Sequence, residues 1–271
     1  RRNYDVGLHA ITNYAEPGTK QGPLSKLLRQ LRMTWEDFDL RPQLRSSIVF
    51  PDCTLFFTNQ FSFLTEQVAS AFPSQIDGFR RLVQRIADHD ALNLERTVLS
   101  ARQVVSEYIR DPLLVDMLFC PLMFYGSATP KDMDFNQFVI MFKSIFHEGF
   151  GRPFAGIRLI LKKLVKHFRS FGGDLRLRAG VSQIQHRDGR ATCVTLDDGT
   201  QIEADNILSS AGAAETLRLI DPENPPVKAP PGDISFVESI SVLDCPPAEL
   251  GHRDTIVFYS DSPQFHYERP E

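Results

Sequence analysis

Hydrophobic positions along this chain change their period several times, and each change predicts a different kind of element. Tyr4, Val6, Leu8 and Ala10 alternate loosely with polar residues and Gly7, the two-residue period of a strand broken by glycine. A turn at Glu16-Pro17-Gly18 follows, and Pro23 opens a short helix carried by Leu27, Leu28 and Leu31. Two strands lie within residues 46–58, on either side of a Pro51-Asp52 turn. From Ser62 to Glu148 the pattern is helical, with breaks near Pro73, Pro112, Pro121 and Pro130. In that stretch Phe135, Phe138, Phe142 and Phe146 recur at three- and four-residue steps, which sets four rings on one helix face.

The clearest element is an amphipathic helix from about Pro153 to Phe171. Ile157, Leu161, Leu164 and Phe168 form its apolar face, and Arg158, Lys162, Lys163, Lys166 and Arg169 fall mostly elsewhere. Pro153 suits a first turn, and Gly172-Gly173 suits a left-handed exit. Three strands are expected next, over 181–186, 192–196 and 201–209. Asp188-Gly189 and Asp198-Gly199 predict type I′ hairpins between them. Ser210-Ala211-Gly212 then leads into a helix through Leu217 to Ile220. Pro222, Pro225, Pro226, Pro230 and Pro231 make a connector, and strands near 235–243 and 255–259 complete an α+β pattern with a mixed sheet.

Composition narrows the class only a little. The 271 residues are 42% hydrophobic and 24% charged, which excludes collagen-like, disordered and disulfide-scaffold proteins. The formal charge of −4 argues against a general nucleic-acid binder. Residues 151–190 carry ten basic and two acidic side chains, whereas 191–271 carry four and fifteen. The basic block is either a solvated face or a surface that meets an anionic cofactor or membrane. Cys53, Cys120, Cys193 and Cys245 stand far apart and the seven histidines are scattered. No metal site is expected, and a reducing, cytoplasmic location fits. No apolar run reaches the roughly 20 residues that span a bilayer. The longest, from Leu113 to Tyr125, is interrupted by Asp116 and Pro121, yet it suits peripheral contact with a membrane surface. The opening Arg1-Arg2-Asn3 has no signal-peptide core and no initiating methionine, so an internal piece of a longer protein is expected.

Self-contained catalytic signatures are lacking. There is no Gly-x-Gly-x-x-Gly and no serine nucleophile elbow. Gly151 and Gly156 have phosphate-loop spacing, but Ile157-Arg158 stand where Lys-Ser or Lys-Thr must follow. Asp197-Asp198 fall in a turn and read as turn residues.

The order of elements says more. Arg152-Pro153-Phe154-Ala155-Gly156, Gly172-Gly173, Val181-Ser182-Gln183-Ile184, Asp198-Gly199 and Ala204-Asp205-Asn206-Ile207-Leu208-Ser209-Ser210-Ala211, in this sequence, resemble the middle of FAD-dependent oxidoreductases. The family is that of phytoene desaturase, carotenoid isomerase and retinol saturase, which is amine oxidase-like. Tyr4-Asp5-Val6-Gly7-Leu8-His9 is similar to its aromatic-Asp-x-Gly-x-His segment. Ala155 stands where relatives more often have glycine.

The resemblance implies three regions. Residues 1–150 would be a substrate-binding region with a helical lid. Residues 151–220 would be part of an FAD-binding, glutathione reductase-like domain whose N-terminal dinucleotide-binding βαβ unit is missing, and 221–271 would return to the substrate-domain sheet. It also implies FAD as cofactor, held in the full-length protein but not by this piece alone. Val181 would bring its backbone to the adenine, with Ser210, Ala211 and Gly212 on the same side. Gly7 and His9 would face the isoalloxazine or substrate, with His9 a candidate acid. Arg152 would neutralise cofactor or substrate charge. The substrate implied is a lipophilic polyene, and Phe119, Leu122, Met123, Phe124, Phe138, Phe142 and Phe146 are either its tunnel or plain core. A non-enzymatic lipid-binding or interaction module, and an amine oxidase-like enzyme with a smaller polar substrate, stay open as alternatives.

Overall fold

In this computed structural model the described residues are 10–221 and 237–267, apart from 92, 94, 96 and 128. In chain order they form α1 (Pro23–Leu31), α2 (Trp35–Phe38), β1 (Leu40–Pro42), β2 (Ser46–Phe50), β3 (Cys53–Phe57), α3 (Phe61–Ala71) and α4 (Ile76–Ala87). Next come α5 (Ala101–Ser106), α6 (Pro112–Met123), α7 (Phe135–Phe142), a π-helical turn over Lys143–Glu148, and β4 (Gly151–Pro153). The rest is α8 (Arg158–Ser170), β5 (Val181–Arg187), β6 (Arg190–Leu196), β7 (Gln201–Glu203), α9 (Ala213–Ile220) and β8 (Val257–Tyr259). They divide into two compact units, residues 165–240 and the remainder.

The larger unit is built on a three-stranded sheet in the order β3-β2-β8. β2 and β3 form a hairpin around Pro51-Asp52, and β8 returns from far along the chain to run parallel to β2, Ser47 opposite Val257. Ile48, Leu55 and Phe57 are buried beneath helices that share their core. α6 is apolar apart from Asp116 and is accordingly almost wholly buried. Asp111 fixes its start by accepting from the Leu113 and Leu114 N–H groups, and Pro112 occupies the first turn, where no N–H is needed.

The phenylalanine row is core. Phe135, Phe138 and Phe142 on α7 and Phe146 on the π turn are fully buried. Phe142 and Phe146 meet edge to face at 5.0 Å, and Phe146 meets Phe57 at 5.2 Å. Phe119, Leu122 and Met123 are equally buried, whereas Phe124 is 52% exposed. A second cluster gathers Leu24, Leu28, Met33 and Phe38 against Ile157 and Ile160, and Lys163 closes it by pairing with Asp37 at 3.1 Å.

The smaller unit is the antiparallel meander β5-β6-β7 with α9 packed against β5. Asp188 and Gly189 both have positive φ, at 51° and 74°, as a type I′ turn requires. The second turn differs from expectation. Leu196 and Thr200 flank a three-residue loop in which Gly199 alone is left-handed, at 84°. The extra residue selects a type I turn followed by a left-handed glycine.

Other boundaries move for identifiable reasons. The amphipathic helix starts at Arg158 because 151–153 is drawn into a ladder with β1 and Gly156 breaks the chain with φ of 82°. The third meander strand stops at Glu203, and past it the Ala204 N–H donates once more, to the Thr192 carbonyl at 3.0 Å. The Arg190 side chain then donates to the Asp205 carbonyl at 2.8 Å. Residues 237–243 form no strand, and with no ladder to cover it Val237 is 92% exposed. The proline connector at 222–231 lies outside the described residues.

Candidate functional site

In the larger unit, the residues around β4 are held by close backbone packing. Ile11 pairs antiparallel with Gly151, each N–H donating to the other's carbonyl at 2.8 and 2.9 Å. A side chain at Gly151 would press on the Tyr14 ring, and one at Gly149, whose φ is 82°, would overlap Asn59. Asn59 is the clamp. Its Oδ1 accepts from the Phe150 N–H at 3.0 Å and from Gln43 Nε2 at 2.7 Å, and its Nδ2 donates to the Phe150 carbonyl at 3.0 Å. Gln43 Oε1 in turn accepts from the buried Ser46 hydroxyl at 2.6 Å. A chain of neutral amides and a hydroxyl thus ties the start of β2 to the loop that precedes β4.

The π-helical turn lies immediately before that loop. Such turns insert an extra residue per hydrogen-bonded ring and occur often at functional sites. Glu148 accepts from Asn13 Nδ2 at 2.6 Å, and His147 stacks on Phe61 at 3.8 Å. Burial, with help from the nearby Lys143 charge, holds the His147 imidazole below its ordinary pKa.

Arg152 stands on β4 opposite Arg41, and Arg41 is neutralised by Asp39 at 2.9 Å. Gly7 and His9 lie outside the described residues.

In the smaller unit, Val181 opens β5 opposite Leu196, beside a register shift before Gln183. Ser210, Ala211 and Gly212 form the exposed loop that enters α9, with Gly212 at φ of 97° as its N-cap. Ser209 and Thr216 share a hydroxyl hydrogen bond of 2.7 Å that holds the loop against the helix. Since α9 packs on β5, the elements that carry Val181 and residues 210–212 are neighbours. The small side chains of residues 210–212 leave that loop's backbone exposed. Arg152 belongs to the other unit.

The Asn59–Gln43–Ser46 clamp has no counterpart in the sequence reading. Isolated amides give no periodic signal, and the nearest hint is the pair of glycines around Phe150.

The profile of flavin containing amine oxidoreductases matches residues 2–246. Over 214 residues the chain is 28% identical to a 4,4'-diapolycopene oxygenase from Methylomonas sp., covering 75% of this chain and 41% of that protein. It is 25% identical over 177 residues to the neurosporene-forming phytoene desaturase of Rhodobacter capsulatus, covering 57% of this chain and 34% of the other. The chain thus spans less than half the length of these relatives. A crystal structure of an oxidoreductase from Methanosarcina mazei superposes with a TM-score of 0.58 at 16% identity, over 80% of this chain and 50% of that one, and shares the fold.

Proposed function

The chain belongs to the flavin containing amine oxidoreductase family, and on that premise we propose that it forms the central part of an FAD-dependent oxidoreductase that desaturates, saturates or isomerises a lipophilic polyene of the carotenoid or retinoid type. The observation that carries this reading is the match over most of the chain together with relatives named for diapolycopene and phytoene. In this reading residues 1–150 serve the substrate, with a helical lid, 151–220 serve the cofactor, and 221–271 return to the substrate side.

The surface of the smaller unit supports a larger whole. Leu177 and Leu208 are 79% and 99% exposed, on stretches that join no ladder among the described residues. Apolar side chains left this open on extended backbone suit burial under further parts of the same fold, including a dinucleotide-binding βαβ unit.

The flavin, when bound, carries the electron pair, so the protein needs no catalytic triad. Val181 presents its backbone to the adenine, while Ser210, Ala211 and Gly212 allow close approach on the same side. Gly7 gives room at the ring system, His9 supplies a proton donor, and Arg152 balances charge at the β4 edge. No helix among the described residues is long and apolar enough to cross a membrane. A lipophilic substrate therefore implies peripheral access to wherever it is stored.

The test is the visible spectrum of the complete gene product, followed anaerobically. Flavin bands that bleach on adding phytoene or a retinoid, and not on adding benzylamine, are the expected result. Bleaching by the amine alone would transfer the protein to the smaller polar substrates of its family. Failure of reconstituted material to retain flavin would remove the enzymatic reading.

A further inference from the structure

We propose that Phe124 and Tyr125, at the C-terminal end of α6, form the surface on which the polyene lies, and that the Tyr125 hydroxyl donates a hydrogen bond to an oxygen atom carried by that polyene. The proposal rests on the polyene reading above and narrows its substrate to an oxygen-bearing chain, an alcohol or a carbonyl compound.

A side chain that touches a substrate must show surface to it. Phe119, Leu122, Met123, Phe138, Phe142 and Phe146 show none, whereas Phe124 is 52% exposed and the adjoining Tyr125 44%. Both rings carry the buried aromatic cluster outward. Phe124 packs on Phe258 at 5.9 Å and on Phe265 at 6.0 Å. Tyr125 stacks on Phe150 at 6.4 Å, with 17° between the ring planes. The helix end beneath them is firmly held. The Tyr125 and Gly126 N–H groups donate to the Leu122 and Met123 carbonyls at 3.2 and 2.9 Å, and Gln137 of α7 donates to the Gly126 carbonyl at 2.8 Å. Flat rings fixed in this way offer a conjugated chain a stacking surface that needs little further ordering.

The pair also stands near the proposed reacting end. Phe150, on which Tyr125 stacks, is followed directly by Gly151, whose backbone pairs with Ile11. Ile11 in turn comes just after Gly7 and His9, the residues assigned above to the ring system and to proton donation. The Tyr125 hydroxyl is the polar element of this surface. It makes no hydrogen bond among the described residues. Although the residue as a whole is 44% exposed, enough protein surrounds the phenol to push its pKa up to about 12, so it stays neutral and able to donate. A pure hydrocarbon laid across the two rings leaves that donor unpaired, whereas an alcohol or carbonyl oxygen accepts from it.

Equilibrium binding of retinoids to the complete gene product, with the flavin spectrum recorded alongside, tests the assignment. Retinal and retinol are compared with deoxyretinol, the hydrocarbon in which hydrogen replaces the retinol hydroxyl. The two oxygen-bearing ligands should bind about fivefold more tightly than the hydrocarbon, as one hydrogen bond allows. Tyr125→Phe should remove that preference and leave deoxyretinol unchanged, while Phe124→Ala should weaken all three alike. Tyr125→Phe keeps a ring on Phe150, so its melting temperature should match that of the parent and lost affinity is not lost fold. Equal affinity for retinal and deoxyretinol, an equal effect of Tyr125→Phe on both, or no retinoid binding overturns the assignment. The flavin reading fails separately. Tyr125-dependent retinal binding by material that retains no flavin keeps this surface and removes the redox role. Flavin that bleaches with phytoene, beside a silent Tyr125→Phe, keeps the redox role and removes this surface.

Discussion

Replacing Gly149 with alanine should destabilise the larger unit by about 3 kcal/mol or more. Two costs combine. A non-glycine residue held at left-handed φ costs about 1–2 kcal/mol, and the new methyl group must displace Asn59, whose amide holds both the N–H and the carbonyl of Phe150. Each hydrogen bond lost there is worth about 1 kcal/mol, and a buried partner left without one costs more. For a unit of this size the melting temperature should fall by roughly 6–12 °C. Since the second cost acts only through Asn59, the effects of Gly149→Ala and Asn59→Ala should not add. A double-mutant cycle that gave strict additivity would mean that the clamp does not exist.

Phe142→Ala should cost about 3–5 kcal/mol in urea denaturation, the usual range for a large aromatic removed from a close-packed core. Phe142 is fully buried and its ring lies 5.7 Å from Phe138, 5.0 Å from Phe146 and 5.9 Å from Phe61. No single neighbour can fill the space it leaves. Phe142→Leu, which keeps most of the volume, should cost less than half as much. Phe154→Ala on the surface should be nearly silent. This comparison also separates core from tunnel, because a side chain that lined a substrate passage would lose little stability on truncation. A cost below about 1 kcal/mol for Phe142→Ala would assign the ring to a passage.

What was legible in the sequence follows from the range of the forces involved. Local signals read well: Pro23 at the start of α1, the apolar face of α8, and Asp188-Gly189 in its tight turn each act within a few residues. The four-ring phenylalanine face was also visible, although not that a π turn would carry its last member. Signals that depend on a distant partner failed. Pro153 looked like a first helical turn and became part of a strand because β1 pairs with it. Residues 237–243 alternate like a strand but find no ladder. The Asn59 clamp joins residues 91 apart, a separation at which neither composition nor period carries information. The candidate cofactor residues came from resemblance to a family, since small residues such as Ser210, Ala211 and Gly212 have no chemical signature of their own.

The most direct trial of the account is a structure of the complete gene product with FAD bound. The adenosine should rest on the backbone at Val181 and beside residues 210–212, with Leu177 and Leu208 covered by the rest of the cofactor domain. An adenosine held elsewhere, with β5 and the entry to α9 still facing solvent, would contradict it.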